Sequence, residues 1–318
     1  MMRSKLILCL LVFLVAAAFT IEAAETPKFV PDSCISVVTV SNVQNDPGIS
    51  WLLDAWINSP RESPLREFFK STTAKEMSVA VFPQKGDSPL YLLFVVNLAK
   101  GAKINKDVMN NVIMPDPDAK LQSVSYKGAT INFVSVDTPE DFSAYTVLQD
   151  KVLFGSDVDV LKEALDGPSV EKSSGYQNVR AQFSQAKDGL LFADNKGSKF
   201  LNFLQPLEEK WKMTLLLSAE YLEWMGSSFD VINSTRVAGK FVFQGKDTSY
   251  IEDIQDDAEF LGEVFKRKFI AEKIDYSSEV EVKDRTVVLN FHIDGIEPLW
   301  KKLFAQGVLS LIRPESAE

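Results

Sequence analysis

Histidine and cysteine carry most hydrolytic and metal-dependent chemistry, and this 318-residue chain has one histidine, His292, and two cysteines, Cys9 and Cys34. A serine–histidine triad needs its base within reach of a nucleophile, and a structural zinc site needs several thiolate or imidazole ligands. His292 lies in an alternating run where Val287, Leu289, Phe291 and Ile293 take one face. It is therefore expected on the opposite, polar face. No Gly-x-Ser-x-Gly elbow, phosphate-cradling Gly-x-x-x-x-Gly-Lys loop or dinucleotide fingerprint occurs. Gly155-Ser156-Asp157 reads as a helix cap.

Carboxylates remain, because two acids suffice for glycoside or metal chemistry without histidine. The densest cluster is Glu252, Asp253, Asp256 and Asp257. On a helix Glu252 and Asp256 share one face, and Asp253 and Asp257 the adjacent one. A solvated helix face is the expectation. Pro115-Asp116-Pro117-Asp118 has the shape of a turn, and Asn233-Ser234-Thr235 matches a glycosylation sequon that has no meaning in a bacterial source. No residue is put forward as catalytic, cofactor-binding or metal-ligating, no cofactor is expected, and the chain is read as a non-enzyme.

The N-terminus reads as an export signal. Arg3 and Lys5 precede an apolar run over residues 6–18, and small residues follow at Ala18 and at Ala23-Ala24. Glu22, three residues before a cut at Ala24, departs from the small-residue rule. The run is short for a membrane span, which favours removal over anchoring. Cys9 sits inside the run with Leu8 before it, so a lipoprotein is not expected. Loss of the leader leaves Cys34 alone at the start of an apolar strand, an inert buried thiol, so stability must come from the core. The formal net charge is −10 with the signs interspersed, which argues against nucleic acid.

The elements that would hold any site fall into a repeated order: strand, long helix, hairpin, helix, hairpin, helix. Residues 35–41 are β-branched and apolar, and Asp46-Pro47 then caps a helix carrying Trp51, Leu52, Ala55 and Trp56. Strands are expected at 77–82 and 90–98, a helix capped by Asn105, a hairpin around Lys127-Gly128, a strand region over 144–154, and a helix opened by Ser156 and Asp159. After a Gly/Pro/Ser-rich stretch and a helix from Tyr176, the second half begins with a strand at 190–193. A helix with Phe200, Phe203, Leu204, Leu207 and Trp211 follows. A further helical stretch ends near Phe229, and a hairpin spans 231–243. Ser249 and Glu252 then open another helix. The last hairpin alternates most clearly, with Val280 and Val282 between Glu279, Glu281 and Lys283. A closing helix carries Ile296, Leu299 and Trp300, and its membrane-surface use is not favoured over packing.

The segments FVPDSCISVVTVSNV, VLFGSDVDVLKEAL and YQNVRAQFSQAKDGLLFAD, within residues 29–194, resemble a set of exported bacterial proteins known only as a domain of unknown function. The resemblance implies an envelope location and carries no catalytic or binding residues.

The expectation is an α+β protein of two similar halves, each an antiparallel sheet with helices packed on one face. Residues 1–24 are the signal peptide, 25–166 the first repeat, 167–188 a linker and connecting helix, and 189–318 the second repeat. It would be exported, to the periplasm or beyond, and would bind or scaffold, with another envelope protein or a hydrophobic ligand as partner. Two rivals are a carrier using a cavity lined by some of the 22 phenylalanines and a hydrolase using paired carboxylates 5–10 Å apart.

Overall fold

The computed structural model describes residues 24–41, 43, 46–58, 64–83, 91–114, 119–135, 142–183, 189–203, 205 and 218–300. The expected leader (residues 1–23), the turn at 115–118, the helix around Trp211 and the closing helix past Trp300 lie outside the described residues. The chain is mixed α+β, with one large antiparallel sheet.

The first strand, β1 (Ser36–Val40), is buried at every residue. Helix α1 (Pro47–Ile57) opens as expected, with Asp46 accepting from Gly48 N at 2.9 Å and Ile49 N at 3.1 Å. Then come α2 (Pro64–Ser71), the strands β2 (Ala74–Phe82) and β3 (Tyr91–Leu98), and α3 (Lys106–Ile113), capped by Asn105. Two hairpins follow, β4 (Leu121–Tyr126) with β5 (Ala129–Val134) and β6 (Ala144–Leu148) with β7 (Lys151–Gly155). Positive φ at Lys127 and Gly128 makes the tight turn of the first.

Helix α4 (Val158–Asp166) is capped by Asp157, which accepts from Val160 N at 2.8 Å. The Ser156–Asp159 box does not form, because the Ser156 hydroxyl instead accepts from Leu92 N at 2.9 Å. Helix α5 (Ser174–Gln182) and strand β8 (Gly189–Asp194) lead to β9 (Leu222–Asn233) and β10 (Arg236–Gly245). The expected helix ending near Phe229 is strand instead. Gly226, Ser227 and Ser228 are weak helix formers, and a Cβ at Gly226 would lie 2.9 Å from the Val179 side chain of α5. The β9–β10 turn is set by Asn233, whose side-chain oxygen accepts from Thr235 N and Oγ1, both at 2.9 Å. Helix α6 (Ile251–Ala271) and the hairpin of β11 (Asp275–Lys283) with β12 (Thr286–Asp294) complete the described fold. Asp247 supplies the cap ahead of α6, accepting from Ser249 N at 2.9 Å, in place of the expected Ser249–Glu252 box.

The twelve strands form a single sheet in the order β11-β12-β10-β9-β8-β1-β2-β3-β7-β6-β5-β4. Its centre pairs β1 with β8, Val38 opposite Leu191. The expected one-sided helix packing does not hold. Val40, Val81, Phe94 and Phe154 meet α1, α2 and α3 on one face, and Leu191 and Leu289 meet α6 on the same side. Val37, Ala80, Val95 and Phe192 meet α4 and α5 on the other. The physical reason is in the strands: β1, β7 and β8 bury successive residues, which requires cover on both faces. The β11–β12 edge shows the alternation of a sheet with one wet side, with Val287, Leu289, Phe291 and Ile293 buried and the residues between them less so.

The N-terminal and C-terminal parts of the described chain are interlocked. Helix α1 packs on β9, and a Cβ at Gly48 would fall 2.3 Å from the Val231 carbonyl oxygen. The stretch after α4 is tied to the N-terminal segment, with Val170 N donating to Val30 O at 2.7 Å and Asp32 N to Pro168 O at 2.9 Å. Phenylalanines fill the core ring on ring: Phe68, Phe94 and Phe142 surround Phe154 at 5.3, 6.3 and 5.9 Å.

Candidate functional site

The residues with chemical potential in the sequence do not converge. His292 is exposed on β12, and Cys34 is fully buried, its thiol pushed far up by burial. The acidic cluster divides: Glu252, Asp253 and Asp256 face solvent, while Asp257 turns inward and accepts from Ser218 N at 2.7 Å and Ser218 Oγ at 2.6 Å. Asp257 thus ends the chain's approach to β9. Among the described residues no group of three or more His, Cys, Asp and Glu is placed to hold a metal ion.

What does converge is an irregularity in the sheet. Strands β5 and β6 pair only at Ile131–Thr146, Asn132–Tyr145 and Phe133–Ala144. The next pair in that register, Thr130 with Val147, is not made, and the Thr146 hydroxyl donates to the Thr130 carbonyl at 2.9 Å instead. Each strand stays fully laddered on its other side, β5 to β4 and β6 to β7. The two hairpins therefore spread apart, opening a crevice of about 720 Å³, within the range of small-ligand sites.

Because the ladder stops there, the crevice is lined from both faces of the sheet. Met109 of α3 and Val147 come from the side of α1–α3, and Phe29 and Leu148 from the side of α4 and α5. Tyr145 donates to Asn110 Oδ1 at 2.8 Å, which leaves the Asn110 amide as a donor. Burial, and then the charge of Asp107, hold the Tyr145 hydroxyl above its ordinary pKa, so it stays a neutral donor.

Two lysines border the space. The Lys151 side chain is only 11 % exposed and bridges Asp150 at 2.8 Å and Glu25 at 3.1 Å, with its ammonium 5.9 Å from the Phe29 ring. Burial pulls the Lys151 pKa down, but its hydrogen bonds to Asp150 and Glu25 outweigh that and leave it raised. Lys106 is exposed at the start of α3 and has no acidic partner among the described residues. An apolar floor, a neutral hydrogen-bonding pair and one uncommitted cation can hold a small amphiphile with an anionic end.

The arrangement does not favour acid–base chemistry. The acids at the crevice, Glu25 and Asp150, are both engaged by Lys151, which holds Asp150 below the ordinary carboxylate range. The crevice itself is not Phe-rich: Phe29 alone of the phenylalanines lines it.

Sequence reasoning missed Asn110, Tyr145 and Lys151. One signal was present: Lys151 begins KVLFG, a strand otherwise apolar and buried throughout. A cation that opens such a strand needs a local anion.

No family model, characterised protein or solved structure matches this chain.

Proposed function

We propose that this is an exported, non-catalytic binding protein of the cell envelope, built from two related halves, whose β5–β6 crevice takes a small amphiphilic molecule with an anionic end. The observation that carries the binding reading is the failed β5–β6 ladder, which opens a lined space where a continuous sheet would be solid. Export is supported by the basic and apolar leader, and by the likeness of residues 29–194 to exported bacterial proteins of unknown function.

The two-halves reading is supported by strand order. From the central β1 and β8 outward, each side has a hairpin, β2–β3 or β9–β10. Each then has a second hairpin entered by its later strand, β7–β6 or β12–β11. The β4–β5 hairpin has no counterpart, and it forms the far wall of the crevice. On this reading the second half is a support and the added hairpin provides the site.

Native mass spectrometry of the protein gently purified from its host's envelope tests the proposal. A small mass released on denaturation is expected, and it should be lost in Thr130→Trp, which fills the crevice from an exposed position. An empty wild-type protein, or a mass that persists in Thr130→Trp, contradicts it.

A further inference from the structure

One buried acid lies outside the crevice. Glu76 lies on β2 and is 5 % exposed, facing the side of the sheet that carries α4 and α5. Its carboxylate accepts from Glu25 N at 3.0 Å, Thr26 N at 2.6 Å and Thr26 Oγ1 at 2.5 Å. Behind it, Thr26 Oγ1 meets Ser78 Oγ at 2.6 Å, Ser78 Oγ meets Thr39 Oγ1 at 2.9 Å, and Tyr176 bonds to Thr39. Thr26 and Ser78 are fully buried.

Among the described residues no cation reaches Glu76. Lys75, next to it in sequence, is exposed on the other face of β2, and Lys151 is occupied by Glu25 and Asp150. A carboxylate taken from water with hydrogen bonds but no counter-charge is a costly feature. The missing positive charge has an obvious source in the same geometry. Its first donor is the backbone nitrogen of Glu25, which directly follows Ala23-Ala24, small residues where a leader can be cut despite the departure at Glu22.

We propose that Glu76 is the receptor for the mature N-terminus. A leader peptidase of the export machinery adds water across the Ala24–Glu25 peptide bond. The Ala24 carboxylate leaves with the leader, and the Glu25 nitrogen takes up protons to become an α-ammonium. That group already stands 3.0 Å from Glu76 Oε2 and brings three donors and one positive charge to a buried anion. Cutting precedes folding on the export route, so the burial of Ala24 is no obstacle.

The ion pair also bears on the crevice. The docked segment contributes Phe29 to the crevice wall and the Glu25 carboxylate to Lys151. Leader removal thus tightens the hold on a segment that already borders the binding site, and an unprocessed chain holds that segment more loosely. This inference rests on the export reading above and adds its cut site and its consequence.

N-terminal sequencing and intact mass of the protein from its host come first, and a start at Glu25 is expected. A full-length mass would defeat the export reading, and this inference with it. A start at any other residue would leave export standing and overturn this inference alone. The second test is a double-mutant cycle on melting temperature. Forms that begin at Glu25 or retain Ala24 are compared in the wild-type and Glu76→Gln backgrounds. Retaining Ala24 is expected to lower the melting temperature by several degrees in the wild type and to have little effect in Glu76→Gln. Equal losses in both backgrounds would overturn the pairing. Acetylation of the Glu25 amine on the intact mature chain should reproduce the loss without any substitution, and no loss on acetylation would also overturn it.

Discussion

The two ends of the sheet are built in opposite ways. At one end β11 is laddered to β12 along its whole length and carries Asp275, Glu279, Glu281 and Lys283 on an exposed strand. At the other end β4 carries no charge, and the ladder fails one strand inward, between β5 and β6. Charges on an edge strand block pairing with another chain. The β11 end therefore reads as closed by its own chemistry. The β4 end is held in place from outside: Tyr126 donates to Asp166 of α4, and Lys127 pairs with the same carboxylate at 2.5 Å. The crevice is thus a feature of the sheet's interior, and its outer hairpin is tethered to α4.

The largest loss of stability is expected in the packing beneath the crevice. Phe154→Ala removes a fully buried ring at the centre of an aromatic cluster. It should cost about 4 kcal/mol in urea unfolding. Val282→Ala, on the exposed strand at the other end, should stay within about 0.5 kcal/mol.

Lys151→Met should cost about 1.5 kcal/mol, because the hydrogen bonds to Asp150 and Glu25 are charged but their acceptors are half exposed. The pH dependence follows from the shifts. Asp150 is held below its ordinary value of 3.8, so its contribution is full above that pH and is lost as pH falls through the lower folded value. Lys151 is held above 10.5, so its contribution is full below that pH and is lost as pH rises through the folded value. Unfolding curves of wild type and Lys151→Met should therefore converge at both extremes and differ most in between.

Tyr145→Phe removes the bond to Asn110 and should cost about 1 kcal/mol. On the proposed binding role, it should also weaken retention of a small molecule in native mass spectrometry. The smallest effect on stability is expected at the charged end. Glu279→Val with Glu281→Val should change unfolding by under about 0.5 kcal/mol, yet produce concentration-dependent self-association in light scattering. A double variant that stays monomeric would show that charge is not what closes that edge.

Local signals were legible in the sequence where local physics decides. Asp46-Pro47 predicted the start of α1, Lys127-Gly128 the β4–β5 turn, and the alternation from Val280 to Ile293 the β11–β12 hairpin. The one-sided packing was an extrapolation from that last hairpin, the least buried part of the sheet. The strands β1, β7 and β8 have no alternation to read, because both of their faces are covered. A helical stretch was expected to end near Phe229, and the contact of Gly226 with Val179 that suits a strand there joins residues distant in sequence. The crevice was hidden for the same reason: Thr130 and Val147 are ordinary strand residues, and only their failure to pair makes a space. The burial of Asp257 depends on Ser218, which comes from well before α6.

Hydrogen exchange, read by mass spectrometry on the protein as isolated and after denaturation and refolding free of small molecules, is the first measurement to make on the proposed crevice. The account predicts that removal raises exchange in β5, β6 and α3 while β11 and β12 are unchanged. Equal exchange in both forms, or a change centred on the β11–β12 end, would contradict it.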